Sequence, residues 1–114
     1  MSAVHRRRPD GSWEGVPPRG YGAGGRRHEL VETERYRVRC FEVPAGGTST
    51  LERHGHDHTV VIQQGRARVT LGDAAHELGP GDVVYVAPGE LHAFEAIGGE
   101  PLAFICVRSA GDAL

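Results

Sequence analysis

Apolar residues in this chain come in short runs of Val, Ile, Leu, Tyr and Phe, broken at close intervals by glycine and proline. That punctuation belongs to strands joined by tight turns, because helices need apolar positions sustained at a period near 3.6 residues. A first strand is expected over residues 29–33 and a longer one over 36–43, after which Pro44, Ala45, Gly46 and Gly47 turn the chain. Residues 51–54 and 58–63 read as extended, and Gln64-Gly65 makes a tight turn into a strand over 66–71. Gly72-Asp73 is a hairpin signal leading to a return strand over 75–78. The run Gly79-Pro80-Gly81-Asp82 turns into 83–87, Pro88-Gly89 leads into 91–96, and 101–108 closes the domain. Eight or nine short strands at this spacing predict an all-β jelly roll or small barrel with no long helix.

The stretch before residue 29 has a different texture. It carries Arg6-Arg7-Arg8, Pro17-Pro18 and glycines at 20, 22, 24 and 25, too little apolar material to build a core. Residues 1–28 are therefore expected to form a flexible Arg/Gly/Pro-rich arm, anchored at Trp13 and Val16, and residues 29–114 a single small barrel domain. Charge divides the same way: residues 1–28 hold six Arg against Asp10 and Glu14, and residues 29–114 hold seven Arg against thirteen acidic residues. All 13 basic residues are Arg, so Schiff-base chemistry and P-loop phosphate binding, which need a lysine, are excluded. The acidic body argues against nucleic acid as a partner. No run of about 18 apolar residues exists to span a membrane, and no apolar leader opens the chain, so a cytoplasmic location is expected. Cys40 and Cys106 sit in separate apolar runs away from any CxxC spacing, which reads as two buried, reduced thiols.

Histidine is where the chemistry concentrates. His54, His56 and His58 occupy alternate positions two residues past Glu52, and a further His92 stands in a later strand-like segment. Side chains alternate faces along an extended chain, so Glu52, His54, His56 and His58 can share one face. Such a group is tolerated when a cation takes its lone pairs. The competing reading is a surface histidine tract that binds metal adventitiously, with His92 a satisfied core residue.

The glycines around these histidines resemble the two motifs of the cupin superfamily. The first motif corresponds to Gly47 through Gly65 and the second to Gly81 through Ala96, and residues 36–108 as a whole are similar to one small cupin-2-like domain. Counting back from Gly65, the family's two histidine positions fall on Glu52 and His54, and its glutamate position on His58. His92 stands eleven residues after Gly81, where the family has its last ligand. The resemblance thus implies a double-stranded β-helix barrel whose mouth holds one divalent transition metal on Glu52, His54, His58 and His92. His56 is a neighbour that a single gap would promote to a ligand. The chain departs from the family pattern in exchanging Glu and His at Glu52 and His58, and also in Pro88-Gly89 in place of Pro-X-Gly and Ala96 in place of an asparagine. Three imidazoles and a carboxylate suit Fe, Mn, Ni, Zn or Cu.

Around that site Tyr85, Phe94 and Arg39 are expected to line the pocket, with Arg37 and Arg39 placed to reach an acidic substrate. The expected function is a small metal-dependent enzyme of oxygenase, isomerase, lyase or cyclase type acting on a small chelating molecule. A small-molecule binding or sensor module without catalysis is the alternative, and a structural barrel stapled by its metal a third. No GxSxG, GxGxxG or cysteine-based nucleophile constellation competes with these. A barrel this small has a thin core and open sheet edges, and the resemblance implies a homodimer.

Overall fold

The computed structural model describes residues 2–110 and is all-β. Nine strands follow in order: β1 (Arg19–Tyr21), β2 (Gly25–Glu32), β3 (Tyr36–Val43), β4 (His58–Gln64), β5 (Arg66–Leu71), β6 (Ala74–Leu78), β7 (Val83–Val86), β8 (His92–Ile97) and β9 (Leu102–Ser109). They form a six-stranded sheet ordered β1-β2-β3-β9-β4-β7 and a three-stranded sheet ordered β6-β5-β8. All ladders are antiparallel. The two sheets face one another as the halves of a jelly-roll barrel. Among the described residues no helix is long and apolar enough to cross a membrane.

Parity along the strands builds the interior. On β4, His58, Val60 and Ile62 point inward; on β8, His92, Phe94 and Ala96 do; on β9, Leu102, Phe104 and Cys106 do. Each inward row is apolar at one end and polar at the other. The apolar ends of these rows close one half of the barrel, where the Phe41 and Phe104 rings stack at 5.4 Å and Phe94 and Phe104 at 4.7 Å. The polar ends open at the other half.

The turn between β4 and β5 depends on Gly65, whose φ is +79°. That left-handed conformation is open to glycine at little cost. A Cβ there would also collide with the Pro101 carbonyl, which packs against the turn.

The segment expected to be an arm contributes to the sheet. β1 lies within it, and β2 starts at Gly25, four residues before the strand expected from residue 29. Ahead of β1, Arg7 bridges to Trp13 and Trp13 to Val16, and the Arg7 guanidinium donates to Gln64 Oε1 at 2.8 Å. This fold-back lays Trp13 against the Cys40 thiol on the outer face of the large sheet. The stretch expected to be extended over 51–54 joins no strand; its backbone pairs with β8 only through Glu52 and His92.

Candidate functional site

Two backbone contacts explain how histidines far apart in sequence meet. The Glu52 and His92 amides each donate to the other's carbonyl at 2.9 Å, and the Gly89 amide donates to the His54 carbonyl at 2.7 Å. These fasten the 52–54 segment to the start of β8. Beyond it the chain bends at Gly55 and His56 before entering β4 at His58. The clustering of His54, His56 and His58 therefore comes from a bend, not from the extended alternation expected of the sequence. Their rings nevertheless converge: His54 and His56 stack at 4.7 Å, and His56 and His58 lie 4.4 Å apart. His92 adds a fourth ring, 5.4 Å from His54 and 5.2 Å from His58.

The nitrogens of His54, His56 and His58 include a set lying within 4.8 Å of one another, close enough to share one ion. His92 Nδ1 is 2.9 Å from the Glu90 carbonyl, which can only accept, so Nδ1 is the donor and in the neutral ring Nε2 carries the lone pair. His58 Nδ1 is 3.2 Å from Cys106 Sγ, while its Nε2 is buried with no hydrogen-bond partner. A buried, unpartnered ring nitrogen is costly unless something accepts its lone pair. Burial, followed by the neighbouring His56, His92 and His54 and by Arg39, lowers the His58 pKa from 6.5 to about 3. Its ring is thus neutral at ordinary pH, the form a metal requires. Glu52 Oε2 lies 2.8 Å from His54 Nε2. The donor set fits a borderline transition ion: it is nitrogen-rich, one member is orphaned, and a carboxylate stands beside it.

The cluster forms one side of a cavity of about 320 Å³. Phe94 and Arg39 are among the residues that line it. Tyr85 is not: it is 57 % exposed on the outer face of β7, and its hydroxyl donates to Asp57 Oδ2 at 3.1 Å. The run Val83-Val84-Tyr85-Val86 is apolar throughout and hides its parity, which the structure resolves with Val84 and Val86 inward. Arg37 turns to Glu32, at 3.0 Å, and is absent from the lining.

Several lining residues were not expected from the sequence, among them Tyr21, Arg27, Cys106 and Arg108. The first two lie in the segment read as an arm. Burial first, then Glu52, pushes the Tyr21 phenol up, against an opposing hydrogen bond with Ser49. Burial likewise pushes the Cys106 thiol up, against Arg39. For Cys106 and Arg108 a signal existed, since both share the parity of Phe104 on β9.

A barrel of two antiparallel sheets with a histidine cluster in its open end defines a class, and the sequence matches it. The Cupin domain family profile covers residues 39–108, and the chain belongs to that family. It is similar to a cupin 2 conserved barrel domain protein from Rhodopseudomonas palustris, with a TM-score of 0.86 and 32 % identity, over 98 % of this chain and 83 % of that one. A cupin 2 domain-containing protein from Halorhodospira halophila superposes with a TM-score of 0.75 and 38 % identity, over 99 % of this chain and 82 % of that one. Over 73 residues, 64 % of this chain, it is 42 % identical to 1-methylthio-D-xylulose 5-phosphate methylsulfurylase of Rhodospirillum rubrum. The match spans 47 % of that relative's length.

Proposed function

We propose that this chain is a small metal-dependent cupin enzyme acting on a small molecule held in the barrel mouth. The observation that carries the reading is the convergence of four imidazoles on one cavity wall with His58 Nε2 buried and unpartnered. His54, His58 and His92 would hold one divalent transition ion, with Glu52 and His56 as the further donors. Bound there, the ion would supply Lewis acidity toward an oxygen of a chelating substrate. The chain's own residues do the rest. Glu90 and Cys106 orient the His92 and His58 rings, and Phe41, Phe94 and Phe104 close the floor against water. The similarity to an enzyme, the methylsulfurylase, supports catalysis over passive binding.

Metal content per chain, measured on untagged protein beside His92→Ala, tests the assignment. One equivalent of Fe, Mn, Ni, Zn or Cu in the wild type, lost in a folded variant, is the expected result. Metal retained by the variant would place it on the His54–His58 tract alone and sink the barrel site. We also propose that two copies pair in the cytoplasm through the large sheet, where Val83 and Tyr85 are exposed.

A further inference from the structure

Beside the imidazoles, three arginines line the cavity from three adjacent strands: Arg27 on β2, Arg39 on β3 and Arg108 on β9. We propose that this wall is an oxyanion subsite centred on Arg39, and that the molecule occupying the cavity carries a phosphate or carboxylate group. The assignment rests on the metal-site reading only for what holds the other end of that molecule.

Charge balance comes first. Among the described residues Glu52 is the one carboxylate lining the cavity, and it is engaged by His54 at 2.8 Å. Arg27 has a partner in Glu29 Oε1, at 2.9 Å. Arg39 has none: among the described residues no carboxylate lies within ion-pair distance of it, and its Nε is buried without a hydrogen-bond partner. It hydrogen-bonds the Cys106 thiol, a weak acceptor. A half-buried guanidinium lacking a counter-ion is a costly arrangement, relieved when an anion arrives from outside. Occupation of the imidazole cluster by a divalent cation would raise the positive charge of the cavity further.

Geometry favours an oxyanion over a halide or a neutral group. The Arg39 guanidinium carbon sits 4.9 Å over the Phe41 ring. A contact of this kind restrains the guanidinium, and its Nε–H has no partner. A planar fork matches the two oxygens of a carboxylate or phosphate. The volume, about 320 Å³, suits a small metabolite reaching both the imidazoles and the arginines.

The test uses metal-stripped protein, so that anion binding is read apart from the metal. Inorganic phosphate and succinate are each titrated calorimetrically into wild type, Arg39→Gln, Arg39→Lys and His92→Ala, after circular dichroism has confirmed folding. Binding of at least one anion is expected, and the one preferred tells phosphate from carboxylate. Arg39→Gln should weaken it at least about tenfold. Arg39→Lys, which keeps the charge but loses the fork and the stack, should weaken it several-fold and stands in if the glutamine variant fails to fold. His92→Ala should bind as wild type. The proposal is overturned if neither anion binds, if Arg39 substitution changes nothing, or if His92→Ala loses binding too, which would put the anion on the imidazoles. One equivalent of metal without anion binding would leave the metal-site reading standing and remove this one; anion binding in a chain that takes no metal would do the reverse.

Discussion

His58 links the interior to the site more tightly than any other residue. It opens β4, pairs across to Val86 and Arg108, and turns its ring into the imidazole cluster. The folded chain protonates this ring only near pH 3, whereas an unfolded chain takes up the same proton near 6.5. Between those values the unfolded state binds more protons, so the contribution of neutral His58 is complete above about pH 6.5 and is lost as pH falls toward 3. In the metal-free protein, the thermal midpoint should therefore drop steadily through that window, and His58→Gln should flatten the slope. A midpoint indifferent to acid would show that the ring is not held neutral by its surroundings. The residue was legible in the sequence as a ligand candidate. Its dependence on Cys106 was not, because 48 positions separate the two and only the β4–β9 ladder joins them.

At the scale of elements, strands whose alternation is flanked by clear turns were readable to the residue. β3 at Tyr36–Val43 and β5 at Arg66–Leu71 fall where turn chemistry and apolar runs place them. β1 was not readable, since Arg-Gly-Tyr between Pro18 and Gly22 shows no apolar alternation and becomes a strand only by pairing with β2. Tertiary pairing overrode propensity there. At Gly65 the opposite holds: a local requirement governs how the two sheets join. Gly65→Ala would need an unfavourable φ, costing about 1–3 kcal/mol, and would also push against Pro101. We expect the variant to lose several degrees of thermal midpoint. A denaturation curve superposable on wild type would mean that the turn can relax around a methyl group.

For the molecule as a whole, the outer face of the large sheet divides in two. Over β2 and β3 it is covered from within the chain, where Trp13 caps Cys40 and both are almost fully buried. Over β9, β4 and β7 it is partly exposed. Val107, Thr59 and Tyr85 stand side by side across the three strands, and Ile105, Val61 and Val83 form the next row. Val83 is 61 % and Tyr85 57 % exposed, and β7 is the last strand of its sheet, with one edge unpaired. Apolar rows beside an open edge invite a partner, and in a chain of 12.3 kDa with so thin a core a second copy is the economical one. Light scattering should then give about twice the chain mass. Val83→Lys, which sets a charge in that row without touching the barrel interior, should halve that mass while leaving metal content unchanged. A wild type that runs as a monomer at all concentrations would refute pairing. A lysine variant that stays dimeric would move the interface to another edge.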